Sequence, residues 1–166
     1  MTPRVLVVYA SKKGSTREVA ETIAAQLERH GLRTVVQPAG DPVDLRTFDA
    51  VVLGGALYMG RWHRDARRFL RRHRHILRSL PIAVFAMGPG TTDDRSMASS
   101  LGQLERALRR TREVRPFAVS IFGGVIDPAR LRFPFNRMPA SDARDPDAIT
   151  AWADEVAGRV HGRVAA

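Results

Sequence analysis

The stretch Val5-Leu6-Val7-Val8-Tyr9-Ala10-Ser11-Lys12-Lys13-Gly14-Ser15-Thr16 does most to limit what this chain can fold into. Its apolar half is continuous rather than alternating, as expected of a central parallel strand covered on both faces. A hydroxyl- and Gly-bearing turn follows. Val19, Ile23 and Leu27 then recur at helical spacing between Ser15 and His30, and Gly31 is a good stop. Strand, tight loop and helix N-terminus therefore succeed one another directly. A helix N-terminus presents unpaired N–H groups and the positive end of the helix dipole, so it is a natural phosphate site. Ser11, Ser15 and Thr16 add hydroxyl donors, and Gly14 lets the backbone approach an anion closely. A phosphate monoester carried by a cofactor is expected here. The competing reading is an ordinary helix cap, because Ser and Thr cap helices in any case.

The rest of the chain repeats this alternation. Leu32–Gln37 reads as a second strand and Asp49–Gly55 as a third. Trp62, Ala66, Phe69, Leu70, His73 and Leu77 lie on one helical stripe, predicting a helix over 62–79. Pro81–Met87 reads as strand four, with Pro at its first position, where a missing N–H is tolerable. Met97, Leu101, Leu104 and Leu108 mark another helix. Pro116–Phe122 reads as strand five, and Val125–Ala140 as irregular chain. A last helix starts near Asp145-Pro146 and carries Ile149, Trp152, Val156 and Val160 inward. Strands alternating with helices indicate an α/β sheet with helices on both faces, in one domain at this length. Ligands of such sheets bind at the carboxyl ends of the strands. Besides Ser11–Thr16, those ends are Gly54–Gly60, Met87–Gly90 and Phe122–Gly124, and their glycines suit close approach to a flat ligand.

The known phosphate loops can be tested on the residues. A P-loop needs G-x-x-x-x-G-K-[ST], and a dinucleotide fingerprint needs G-x-G-x-x-G; a single Gly after strand one satisfies neither. A phosphoacceptor receiver would want an acidic pair after strand one, where Tyr9-Ala10-Ser11 stands. The chain has no Cys, which removes disulfides, thiolate metal sites and cysteine-dependent phosphatases together.

The loop Ser11-Lys12-Lys13-Gly14-Ser15-Thr16 resembles the flavodoxin phosphate loop, [ST]-x-x-G-x-[ST], directly after strand one. A longer segment, Val51-Val52-Leu53-Gly54-Gly55-Ala56-Leu57-Tyr58-Met59-Gly60 followed by Trp62-His63, is similar to the flavin-contacting segment of menaquinone-dependent protoporphyrinogen dehydrogenases, a flavodoxin-domain branch. Arg115-Pro116, Phe122-Gly123-Gly124-Val125-Ile126-Asp127 and Asn136-Arg137-Met138 resemble the same branch. The resemblance implies a three-layer α/β/α fold with a five-stranded parallel sheet of order 2-1-3-4-5. It implies FMN as cofactor, a quinone or a redox protein as electron acceptor, and a place in heme biosynthesis.

The cofactor-binding set implied is Ser11, Lys12, Lys13, Gly14, Ser15 and Thr16 for the phosphate. Around the ring it adds Ala56, Leu57, Tyr58, Met59 and Gly60 after strand three, and Met87, Gly88, Pro89 and Gly90 after strand four. Phe122, Gly123 and Gly124 after strand five complete it. Tyr58 and Trp62 are the flat side chains placed to meet a flat ring, although Trp62 also sits on the inward stripe. No side chain is compelled as a general acid or base, so no catalytic residue is named. Without its own substrate the same chain would be an electron carrier, and without FMN an interaction module.

Charge bears on partners. Lys+Arg 27 against Asp+Glu 17 gives a net +10, and Lys12 and Lys13 are the sole lysines. Between Arg61 and Arg78 eight Arg and three His face one acid, Asp65. That face reads either as a solvated surface or as a dock for anionic lipid, an acidic redox partner or porphyrin propionates; nucleic acid is not expected. His63, His73 and His75 have no acidic companions that would make a metal set. Leu131–Met138 mixes apolar residues with Arg, as in a membrane-surface, substrate-side or packed loop. No apolar run reaches the ~20 residues a bilayer span needs. A cytoplasmic protein is expected, peripheral to the inner membrane face where the basic surface docks.

Overall fold

The computed structural model describes residues 2–11, 14–126, 129, 137 and 140–166. β1 (Arg4–Ala10) leads into α1 (Ser15–Arg29) and returns as β2 (Arg33–Pro38). β3 (Ala50–Tyr58) and β4 (Arg61–Trp62) form a hairpin, followed by α2 (Arg64–Arg72) and α3 (Arg74–Leu77). β5 (Ile82–Met87), α4 (Asp94–Leu108) and β6 (Ala118–Phe122) come next. β7 (Val125–Ile126) and β8 (Ser141–Asp142) form a separate ribbon before α5 (Pro146–Ala165).

Parallel pairing gives the order β2-β1-β3-β5-β6, which is the expected order once β4 is recognised as an added hairpin strand. β4 runs antiparallel to β3, with Leu57 opposite Trp62 and Tyr58 opposite Arg61. The continuous apolar strands are covered on both faces. Val5 and Val7 pack with α1 and α5, whereas Leu6 and Val8 pack with α2 and α4, so the layers are α/β/α. On the first face Phe85, Phe122 and Trp152 form a ring cluster with centroids 5.7–5.9 Å apart.

The structure corrects three boundaries. The helix expected over 62–79 begins only at Arg64. Trp62 belongs to the hairpin, and His63 caps α2 by accepting at Nδ1 from the Asp65 N–H at 3.1 Å. The helix then breaks at His73, whose ring lies 4.6 Å from that of Phe69. Pro81 precedes β5 rather than opening it, and its carbonyl accepts from Val51 N–H at 2.9 Å. Val125–Ala140 is not wholly irregular, because Val125 and Ile126 pair with Asp142 and Ser141. The reading of Leu131–Met138 lies outside the described residues except for Arg137.

Candidate cofactor-binding site

Ser11 and Gly14 are bonded to each other ahead of α1. Gly14 takes a left-handed conformation at φ 88°, and its N–H donates to Ser11 Oγ at 3.1 Å. Glu18 N–H reaches back to the Gly14 carbonyl at 3.1 Å, which sets the first helical turn. No side chain caps α1. Of the hydroxyls in Ser11–Thr16, Ser11 Oγ takes the Gly14 N–H ahead of α1, and neither Ser15 nor Thr16 caps the helix. Thr16 is fully buried, and its Oγ1 has no hydrogen-bond partner among the described residues. A buried hydroxyl left unpaired costs about 1–3 kcal/mol, and a partner from beyond the described residues would remove that cost. Lys12 and Lys13 lie outside the described residues.

Across the carboxyl edge, the segment 56–60 is the β3–β4 hairpin rather than a loose loop. Met59 at φ 52° and Gly60 at φ 75° form its two-residue tip, with the paired positive φ values of a type I′ turn. Gly accepts this conformation without cost, but Met does not. Tyr58 is 58% exposed and Met59 70% exposed, so the tip holds two large side chains in solvent. Trp62 takes the opposite role. It is 1% exposed, and its Nε1 donates to the Gly55 carbonyl at 3.0 Å, so it is core and unavailable to a ligand.

The hairpin tip and the loop after β5 bound an open cleft of about 420 Å³, whose third wall is α4. Leu57, Met59 and Gly60 stand on one side of it, with Gly88 and Pro89 beside them. The loop is held at its base, where Gly88 N–H donates to Phe122 O at 2.7 Å and Gly124 N–H to Pro89 O at 2.8 Å. α4 is capped by Asp93, which accepts from Ser96 N–H at 2.9 Å. Bonds from Thr91 Oγ1 and from Ser96 hold the Asp93 carboxyl at about 2, below the ordinary 3.8.

Several predicted glycines turn out to serve the fold's own packing. A Cβ on Gly54 would stand 2.0 Å from the Phe85 ring, and one on Gly55 2.8 Å from Trp62 Nε1. At Gly123 it would meet Ala143 O at 2.1 Å, and at Gly124 Gly88 O at 2.4 Å. These positions are small because chain meets chain, which no ligand is needed to explain. The side chains of Met87 and Phe122 are buried in the core. The residues that sequence reasoning missed are on α4. Arg95, Ser99 and Gln103 recur every four positions and line the cleft. Their spacing is legible in the sequence, but only the apolar stripe of that helix declares which way it faces.

Two further features frame the edge. Arg144 pairs with Asp142 at 2.7 Å and with Glu18, tying the β8–α5 junction to the first turn of α1. On the other face, burial and then the nearby guanidiniums of Arg61, Arg110, Arg71 and Arg64 lower the proton affinity of Arg67. These arginines come from β4, α2 and the 3-10 turn Arg109–Thr111, so guanidiniums from three elements gather around Arg67. No helix among the described residues is long and apolar enough to cross a membrane.

A family model described as "Flavodoxin domain" matches residues 6–138. Protoporphyrinogen IX dehydrogenase [quinone] of Escherichia coli strain K12 is 21% identical over 132 residues, covering 78% of this chain and 73% of that protein. Among solved structures, a cysteine mutant of flavodoxin from Pseudomonas aeruginosa superposes with a TM-score of 0.59 at 19% identity, covering 95% of this chain and 99% of its own. A flavodoxin, WrbA-like protein from Agrobacterium tumefaciens gives 0.61 at 14% identity, covering 97% and 99%. Together the matched model and the shared fold point to FMN as the cofactor. The residues present suit that group. The uncapped start of α1 and the orphaned Thr16 hydroxyl fit a phosphate monoester, and the cleft between hairpin and β5 loop is open where a ring would follow.

Proposed function

This chain belongs to the flavodoxin-domain family, and on that basis we propose that it is an FMN-dependent oxidoreductase of the quinone-linked protoporphyrinogen dehydrogenase kind. The observation that supports it most is the pairing of an uncapped, hydroxyl-lined α1 N-terminus with an open cleft at the same sheet edge. The 21% identical E. coli dehydrogenase supports the choice of donor and acceptor.

When bound, FMN supplies a ring that accepts a hydride or single electrons from a reduced donor and gives them up to a quinone or protein. The chain's part is to hold and shield it. Ser11, Ser15, Thr16 and the first-turn N–H groups take the phosphate, with Lys12 and Lys13 adding positive charge. Ala56–Gly60 and Met87–Gly90 bracket the ring, with Phe122–Gly124 supporting the β5 loop from below. Backbone N–H groups of these loops tune the ring's electron affinity. The guanidinium patch of Arg61–Arg78 faces anionic lipid, bringing the hairpin tip to the surface where a quinone resides; the protein is then cytoplasmic and peripheral to the inner membrane face.

A second reading is an electron carrier without its own substrate, favoured by the flavodoxin neighbours of the fold. The purified protein separates the two. A colourless preparation that gains no bound-flavin absorbance with added FMN overturns both. Holo-protein mixed anaerobically with protoporphyrinogen is expected to bleach at the flavin band and to recover on adding a menaquinone analogue. Flavin that stays oxidised leaves the carrier.

A further inference from the structure

The cleft that brackets the ring is lopsided in charge. Leu57, Met59 and Pro89 make one side apolar, whereas α4 contributes Arg95, Ser99 and Gln103. Arg95 is the one charged side chain among the described residues that line it. Asp93 and Asp94 precede it at the start of α4, but neither lines the cleft, and Asp93 is engaged by Thr91 and Ser96. Arg95 itself makes no hydrogen bond or ion pair among the described residues. The hairpin wall is positive as well, since Arg61 stands opposite Tyr58. Arg67 donates from Nε to the Trp62 carbonyl at 3.0 Å, with the guanidiniums of Arg61, Arg64, Arg71 and Arg110 around it. A ring held here meets cationic charge with no carboxylate lining the cleft to offset it.

We propose that Arg95 sets the electron affinity of the bound ring by favouring its negatively charged reduced form. This rests on the reading above, in which FMN occupies the cleft. Two electrons and one proton taken up by the oxidised ring leave it with one negative charge, and a second proton removes that charge. The electrons come from the reduced donor of that reading, or from the chemical reductant in the test. A guanidinium fixed in the cleft attracts the charge on the reduced ring and has no comparable effect on the uncharged oxidised ring. Arg95 therefore raises the midpoint potential of the ring and keeps the second proton off it down to a lower pH. Arg95 is exposed in an open cleft, so its field is moderate, worth about tenfold in the balance between the two redox forms. A ring poised upward in this way takes electrons from an organic donor more readily than free FMN does.

The test is a reductive titration of FMN-loaded protein against dyes of known potential, at fixed ionic strength and over a range of pH. Arg95→Gln is expected to favour the oxidised ring about tenfold, a fall of about 30 mV for two electrons. The pH at which the slope of potential against pH halves should move upward in the same variant. Arg95→Lys keeps the charge and should retain most of the wild-type potential. Arg106→Gln, on the same helix but outside the cleft, should leave it nearly unchanged. Titration of apo-protein with FMN gives a second readout. By linkage the tenfold loss must fall on reduced FMN, with oxidised FMN bound about as tightly as before. Equal weakening of both redox forms at an unchanged potential overturns the proposal, because Arg95 would then serve binding alone. Equal shifts in Arg95→Gln and Arg106→Gln overturn it as an effect of net charge, and so does an Arg95→Gln protein that takes up no oxidised FMN. A loaded protein whose potential ignores Arg95 refutes this proposal alone, whereas a wild-type chain that never takes up FMN refutes the functional reading and this proposal with it.

Discussion

Trp62 Nε1 donates to the carbonyl of Gly55 across 3.0 Å, and a single Cβ on that glycine would stand 2.8 Å from the same nitrogen. The bond pins the β3–β4 hairpin to the sheet it grew from, and the hairpin tip forms one wall of the cleft. Gly55→Ala is expected to lower unfolding stability by about 1–3 kcal/mol through overpacking. Gly54→Ala, with its Cβ 2.0 Å from the Phe85 ring, should cost more. Trp62→Phe removes the indole N–H bond to the Gly55 carbonyl, at about 0.5–1.5 kcal/mol. Urea midpoints at constant m-value measure all three, and unchanged midpoints would contradict the packing described.

Thr16 separates fold from binding. Replacing the buried, unpartnered hydroxyl with a methyl group in Thr16→Val removes an unsatisfied polar atom. The apo-protein should hold its stability or gain up to about 1 kcal/mol. FMN affinity should fall about tenfold, the worth of one hydrogen bond to a charged phosphate. Fluorescence titration of FMN with an unfolding curve on the same sample gives both numbers. Unaltered affinity would place the phosphate elsewhere.

Asp93 gives the helix that walls the cleft a pH dependence. Its carboxyl is held at about 2 by Thr91 and Ser96, against an ordinary 3.8. A depressed carboxylate stabilises the fold fully above its ordinary value, and that contribution fades as pH falls from about 4 toward 2. The stability lost over this window should be smaller in Asp93→Asn, which retains a capping oxygen but cannot titrate. Carbon-detected NMR of the Asp93 carboxyl should show its midpoint near the lower end of that window.

The arginine patch predicts salt-sensitive adsorption. Cosedimentation with vesicles rich in phosphatidylserine or phosphatidylglycerol should exceed that with neutral vesicles and decline between low and physiological salt. Arg64→Glu combined with Arg71→Glu should reduce it several-fold without altering FMN uptake. Both residues belong to the group that perturbs Arg67. Equal binding to neutral vesicles would rule out an electrostatic dock.

Arg144 links β8 to α1 through Asp142 and Glu18. Arg144→Gln is expected to leave Glu18 as an uncompensated negative charge in the first turn of α1 and to weaken FMN by a few-fold. Adding Glu18→Gln should restore the loss, a coupling that a double-mutant cycle on FMN affinity measures.

Local sequence determined the strands, the helices and their layering here, because a buried parallel strand must be apolar on both faces and a helix apolar on one. Val5–Ala10, Val51–Leu53 and Ile82–Met87 are unambiguous for that reason, and the loop before α1 is readable because chain neighbours build it. Tertiary contact decided the rest. Trp62 has helical spacing to Ala66 and Phe69, yet one long-range bond to Gly55 takes it into the hairpin. The glycines within β3 and after β6 look like room for a ligand, but Phe85, Trp62 and Ala143 already occupy that room. Arg95, Ser99 and Gln103 become a cleft wall only because the β5 loop and the hairpin converge on α4. Periodicity records which face of an element is buried; what stands opposite that face is a property of the packed molecule.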